Sequence, residues 1–375
     1  MKKVISGNEV VSIAVKLARV QAISAYPITP QTHIVEGLAK MVADGELGAE
    51  LIRVESEHSA MSACIGAQAM GVRTYTATAS QGLALMHEML FVASGMRLPV
   101  VMSVANRALS GPLSIWNDQQ DSFSERDSGW IQLYVENAQE AFDAHIQAFK
   151  IAEQTRTPVM VCLDGFVISH TYEPVKFAEK SDVEKFLPEY NPKIKLDPNN
   201  PVTMGPVGTP EYYMDFKKQQ QEALEKSLDV IKKANSEWGS ITGRKVGNGL
   251  IETVNLENSE YAILTLGSVA GTIRNILDRE GIGLIKLRSL RPFPSEEISK
   301  ACAGLKGIGV LEKDISLGAK GALHDEVRSA LYSSESRPKV SGFIAGLGGK
   351  DIRIKDLELV AKKIKEGREG SEWTG

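Results

Sequence analysis

Two runs decide the fold: Pro99-Val100-Val101-Met102-Ser103-Val104 and Pro158-Val159-Met160-Val161-Cys162-Leu163. Each has the length of a strand and almost no polar interruption. A strand with one wet face alternates apolar and polar residues. A strand apolar on both faces lies in a parallel sheet covered by helices on each side. Helical stripes stand between the runs, with Asn137 opening one over 137–154, and another over 8–20 carries Val10, Val11, Ile13, Ala14, Leu17 and Val20. The predicted fold class is therefore α/β with a parallel sheet, and its functional loops belong at the carboxyl ends of the strands.

Working outward, a short strand over 21–29 ends in Tyr26-Pro27-Ile28-Thr29-Pro30, and a helix follows over 35–42. Another strand, 51–54, precedes Ser56, an N-cap for a helix of small residues running to 70. A strand at 73–79 leads through Ser80-Gln81-Gly82 into a helix at 83–94. Between 188 and 210 six prolines (188, 192, 198, 201, 206 and 210) remove backbone donors and mark an extended connector. A polar helix over 211–236 comes next, and a second α/β alternation starts at Tyr261. The expected organisation is a first α/β domain over 1–185, a linker with its polar helix over 186–255, and a smaller α/β domain over 256–375.

Composition narrows the function classes. The chain has 375 residues, with 43 Lys and Arg against 47 Asp and Glu, a formal charge of −4. That balance gives no reason to expect nucleic acid or an acidic membrane as partner. Three cysteines at 64, 162 and 302 stand far apart, without the short spacing of a zinc, dithiol or iron–sulfur motif. The polar Ser6-Gly7-Asn8-Glu9 interrupts any secretory core, and no apolar stretch reaches eighteen residues. The expectation is a soluble cytoplasmic protein.

Three strand-end segments could carry chemistry. YPITP at 26–30 is either a simple strand-ending turn or a stiff holder for the Thr29 hydroxyl. Glu57 opens a helix directly after a strand. There it is a solvated acid favoured by the helix dipole or a carboxyl group aimed at a ligand nitrogen. Arg107, in the loop after the 99–104 strand, is a surface cation or a bidentate partner for a carboxylate or phosphate. Behind it, Trp116-Asn117-Asp118-Gln119-Gln120-Asp121 is a solvated loop or a pocket wall. There is no Walker loop, no GxGxxG unit after a strand, no GxSxG elbow and no HExxH.

Taken together, YPITP at 26–30, ESE at 55–57, TASQG at 78–82, ANRALSG at 105–111 and WNDQQD at 116–121 resemble the α subunit of 2-oxoacid:ferredoxin oxidoreductases, most closely the pyruvate members. Leu287-Arg288-Ser289-Leu290-Arg291-Pro292-Phe293 is similar to the second domain of the same subunit. The resemblance implies a thiamine-diphosphate-binding pyrimidine-type domain followed by a transketolase-C-terminal-like domain. Carried onto matching positions, Glu57 bonds N1′ of the aminopyrimidine and so favours the tautomer that removes the C2 proton, and Ile28 also lies at the cofactor. Arg107 pairs with the substrate carboxylate and Thr29 hydrogen-bonds the same substrate. Asp118 and Gln120 are weaker candidates for the pocket wall.

The implied reaction is oxidative decarboxylation of pyruvate with coenzyme A to acetyl-CoA, or its reverse, with electrons passing through iron–sulfur clusters to ferredoxin. This chain has no GDG…N loop for Mg²⁺, and Asp164-Gly165 reads as a strand end. The Mg²⁺, the diphosphate and the 4Fe-4S clusters are accordingly expected on partner subunits: a thiamine-binding β subunit and γ/δ subunits, one of them ferredoxin-like. No metal is assigned to this chain, which is expected to be inactive alone. Competing readings are another 2-oxoacid (2-oxoisovalerate, phenylglyoxylate, oxalate), a transketolase or E1-type subunit, and a non-catalytic scaffold.

Overall fold

The two apolar runs lie side by side in the computed structural model, which describes residues 2–334 and 337–375. Val101–Asn106 and Val159–Asp164 pair in parallel, with Val101 opposite Val159 and Asn106 opposite Asp164. Both are buried along their whole length, as their composition requires. They form the middle of a seven-stranded sheet ordered Ser289–Arg291, Ile131–Tyr134, Val159–Asp164, Val101–Asn106, Thr74–Thr78, Ala22–Ser24 and Glu50–Ile52. All neighbours are parallel except the first pair.

Helices Gly7–Leu17 and Ala138–Thr155 cover one face, burying Val10, Val11, Ala14, Phe142 and Phe149. Their starts are set locally. The Ser6 and Asn137 side chains each accept from the backbone N–H three residues on, which satisfies a donor the helix itself leaves free. Glu57–Ala69 lies on the opposite face, where Met61, Cys64 and Ile65 join a core that continues into the second sheet through Leu264, Ile285 and Val310. The polar helix is longer than the sequence suggests, Tyr213–Thr242. Its C-terminal half packs on Ala138–Thr155 and buries Ile231, Ala234 and Trp238, the last donating through Nε1 to Asp143 Oδ1 at 2.7 Å.

The second sheet has six strands in the order Gly370–Trp373, Lys339–Ile344, Gly307–Glu312, Tyr261–Thr265, Gly283–Leu287 and Ile251–Val254, antiparallel only at the last. Strand Ser289–Arg291 leaves this region and closes the edge of the first sheet, antiparallel to Ile131–Tyr134. Among the described residues no helix is long and apolar enough to cross a membrane.

Two buried charge networks join the halves. At one, Asp164 meets Lys313, Nζ to Oδ2 at 2.9 Å, with both side chains almost out of water. Ser268 N donates to Asp164 Oδ2 at 3.0 Å, Gln119 Nε2 to Oδ1 at 3.0 Å, and Lys313 Nζ also donates to Asn117 Oδ1 at 2.9 Å. At the other, the Lys286 ammonium lies among Glu136, Glu140 and Glu252 at 2.7, 2.5 and 2.6 Å. These three carboxylates lie within 4.8 Å of one another. Their centre is occupied by a side-chain cation of the chain itself, so the cluster is an ion-pair network.

Burial alone would raise the Asp164 pKa. The Lys313 charge and the hydrogen bonds from Ser268 and Lys313 outweigh it and hold the carboxyl below its ordinary value. A depressed folded-state pKa stabilises the protein above the unfolded pKa, and that contribution is lost as pH falls through the folded one. Lys313→Met leaves Asp164 buried without its cation. It should cost about 3–5 kcal/mol in denaturant unfolding and flatten the acid limb of the stability profile; an unchanged midpoint and acid limb would count against the network's role.

Candidate active site

The chain runs from strand Ala22–Ser24 to its neighbour Glu50–Ile52 on one side, then crosses to Thr74–Thr78 on the other. The strand order reverses there, and at such a point the loops beyond the carboxyl ends part to leave a crevice. YPITP, the Glu57 helix start, TASQG, the Arg107 loop and Asp164 all follow strands of this sheet at that edge.

Glu57 is the first residue of its helix, set by the Ser56 hydroxyl accepting from Ser59 N at 3.2 Å. Its side chain is buried, and no hydrogen bond or ion pair to its carboxylate occurs among the described residues. It lies against Gly82, where a Cβ would fall 2.6 Å from Glu57 Oε1 and 2.5 Å from Thr78 Oγ1. Thr78 Oγ1 is itself buried and without a partner among the described residues. An unpaired acid and an unpaired hydroxyl beside a glycine form a place where a ligand with both donor and acceptor atoms completes the bonding.

Arg107 is likewise buried, at 7% exposure. Its Nε donates to Ser114 O at 3.0 Å and its Nη1 to Thr29 O at 3.0 Å. No carboxylate forms an ion pair with it among the described residues. Burial lowers the guanidinium's pKa and the Asp121 charge opposes the drop, so it remains a cation. A desolvated guanidinium anchored by two carbonyls, with donors to spare, is a receptor for a planar anion.

Each residue singled out in the sequence can now be located. Thr29 reaches Arg107 through its carbonyl oxygen, while the side chain expected to hold substrate is on an exposed residue. Ile28 is half-buried, and its carbonyl accepts from Gln31 N at 2.9 Å. Asp118 is buried and turns to the seam between the halves, where Oδ2 accepts from Gly348 N at 3.0 Å and from Gln120 Nε2 at 3.0 Å. Burial pushes its pKa up, and the bonds from Gly348 and Gln120 oppose the rise. Asp118 and Gln120 thus bind each other, and Asp118 also binds the Leu347–Gly349 turn beside the second sheet, away from Glu57 and Arg107.

Sequence reasoning passed over Asp121. It is 1% exposed, and Oδ2 accepts from Ser80 N at 2.9 Å and Arg107 N at 3.0 Å. Oδ1 accepts from Asn106 Nδ2 and Ser122 N, each at 2.8 Å. Burial pushes the carboxyl up to about 7, and these bonds restrain the rise. Asp164 was legible only as a strand end, which it is; its ion pair was not. Only the position of the WNDQQD run, just after the Arg107 loop, could have pointed to Asp121.

The fold has counterparts among known proteins. The fold is similar to a 2-oxoglutarate:ferredoxin oxidoreductase from Magnetococcus marinus, at a TM-score of 0.74 and 20% identity over 98% of this chain and 65% of the other. It is also similar to a split-gene transketolase, at a TM-score of 0.53 and 12% identity over 96% and 98% of the two chains. Residues 13–236 match the family "Pyruvate flavodoxin/ferredoxin oxidoreductase, thiamine diP-bdg", and residues 259–357 match "Pyruvate:ferredoxin oxidoreductase core domain II". The fold and these matches define a subunit of the thiamine-diphosphate-binding oxidoreductases, and the chain belongs to the pyruvate:ferredoxin oxidoreductase family. More particularly, it is 54% identical to pyruvate synthase subunit PorA of Methanocaldococcus jannaschii over 100% of this chain and 97% of that one. It is 48% identical to the subunit of the same name from Methanothermobacter thermautotrophicus, and 44% identical to ketoisovalerate oxidoreductase subunit VorA of Pyrococcus horikoshii.

The Gly82 contact gives a direct test. Gly82→Ala places a methyl group against Glu57 and Thr78 and, if they shift to admit it, should cost about 1–3 kcal/mol of stability. Thiamine diphosphate should bind the assembled enzyme more weakly by calorimetry; unaltered binding would place the cofactor elsewhere.

Proposed function

We propose that this chain is the pyruvate synthase subunit that holds the aminopyrimidine of thiamine diphosphate and the carboxylate of pyruvate. The observation that carries the reading is the coexistence, at one sheet edge, of a buried carboxyl without a donor and a buried guanidinium without an anion. Each is costly alone and is relieved by a complementary ligand. The residues fit the cofactor: Glu57 can share a proton with N1′ of an aminopyrimidine, and Thr78 Oγ1 and the bare Gly82 leave room and a polar atom beside it. Once bound, thiamine diphosphate supplies the electron sink that decarboxylation of a 2-oxoacid needs.

The chain's own work is binding and proton handling. Arg107 neutralises the substrate carboxylate, and the Thr29 carbonyl fixes the guanidinium that does so. Glu57 holds a proton at the pyrimidine in a site sheltered from water. The three cysteines are all buried singly, and burial pushes the Cys64 and Cys302 thiols up to about 12. Among the described residues none of them joins a group of metal-ligating side chains, which supports placing the iron–sulfur clusters on partner subunits in the cytoplasm, with Mg²⁺ and the diphosphate also held by a partner. Coenzyme A and ferredoxin complete the reaction there.

In the assembled complex, Glu57→Gln should lower kcat by about 10²–10⁴-fold, and near-normal turnover would remove Glu57 from this role. Arg107→Ala should chiefly raise the pyruvate KM, at a cost of about 2–5 kcal/mol. The similarity to ketoisovalerate oxidoreductase subunits makes 2-oxoisovalerate the second reading. A higher kcat/KM for 2-oxoisovalerate than for pyruvate would establish it.

A further inference from the structure

The Arg107 loop and the TASQG turn follow neighbouring strands, Val101–Asn106 and Thr74–Thr78. One serves the substrate anion and the other forms the wall against Glu57. Their backbones meet at a single atom, Asp121 Oδ2, which accepts from Ser80 N at 2.9 Å and from Arg107 N at 3.0 Å. We propose that Asp121 is the positioning residue that couples the Arg107 carboxylate receptor to the Glu57 pyrimidine site, by holding both loops through one carboxylate oxygen. The proposal rests on the reading of Glu57 and Arg107 given above and adds a residue that touches neither ligand.

Three features support a joint and not a mere core acid. Ser80 is fully buried and holds a left-handed φ of 49°, a conformation that costs energy in a residue other than glycine. Its hydroxyl also donates to Ala108 O, a second tie between the same two loops. Gly82, two residues on, is the contact with Glu57, so displacement of Ser80 moves the surface against the acid. The other oxygen, Oδ1, is committed to Asn106 and Ser122, which anchor the carboxylate from behind.

The joint depends on an acceptor oxygen and not on charge as such. Asn106 Oδ1 is buried and has no partner among the described residues. In Asp121→Asn the new amide can therefore turn its NH₂ toward Asn106 and leave its oxygen to Ser80 and Arg107, at the loss of the bond from Ser122 N. Asp121→Ala removes the oxygen and leaves both N–H groups buried and unpaired.

The test uses the assembled complex and two readouts: the pyruvate KM, and exchange of the bound cofactor's C2 proton for deuterium without substrate. Asp121→Ala should raise the first and slow the second, each by about tenfold. Asp121→Asn should show a smaller loss, about threefold in each. The single variants separate this coupling from the reading beneath it. Glu57→Gln should slow exchange with pyruvate affinity kept, and Arg107→Ala should do the reverse; if either fails, the site assignment itself is wrong. If both behave while Asp121→Ala moves only one readout or neither, the coupling is overturned. Should Asp121→Ala not assemble, Asp121→Asn decides alone: graded loss in both readouts supports the joint, and a loss beyond tenfold shows that charge was required and refutes it.

Discussion

A lysine ammonium and an aspartate carboxylate, both nearly out of water, meet where the two sheets abut. Desolvating such a pair is expensive, and the return depends on geometry. Here Lys313 comes from the end of a strand in one sheet and Asp164 from the end of a strand in the other, with Ser268, Asn117 and Gln119 supplying the remaining bonds. Because Asn117 and Gln119 belong to this network, the 116–121 run is tied to the seam. Asp118 adds its bond to Gly348 from the same run. Asp121 therefore reaches back toward the Arg107 loop from a segment already anchored on both sides. The placing of the Arg107 loop thus depends on how the two halves dock.

The molecule treats its buried charges in two ways. At the seam Lys286 lies among three glutamates, and Arg274 donates to Glu136 and Glu252. At the sheet edge, among the described residues, Glu57 lacks a donor and Arg107 lacks an anion, although both are buried. These two stand open at the topological switch point. Groups fixed before a ligand arrives need little reorganisation when it binds.

What the sequence made legible was whatever depends on near neighbours. The apolar runs at 99–104 and 158–163, the caps at Ser56 and Asn137, and a charge directly after a strand at Glu57 and Arg107 are local signals. Strand Ile131–Tyr134 was missed because Gln132 and Tyr134 interrupt its apolar run, yet both side chains are buried and bonded, Gln132 to Ser122 O and Tyr134 to Ser122 Oγ. Strands Lys2–Ser6 and Tyr172–Lys176 carry exposed lysines and a proline and pair with each other in a two-stranded sheet. Asp121 stands among Gln120, Ser122 and Ser124, so it reads as solvated. Its burial is set by donors at Ser80 and Arg107, which no local pattern can show.

The Ser289–Arg291 strand has a consequence for how the chain is made. It completes the first sheet from a position after four strands and helices that lie outside that sheet. Until residue 291 has left the ribosome, Ile131–Tyr134 is an open edge with a fully buried composition, a surface prone to pairing with other chains. Synthesis of about 150 residues separates the two edges, many seconds at ordinary elongation rates. The nascent subunit thus carries an incomplete sheet through most of its synthesis, and closing it requires the segment that also begins the second half's docking.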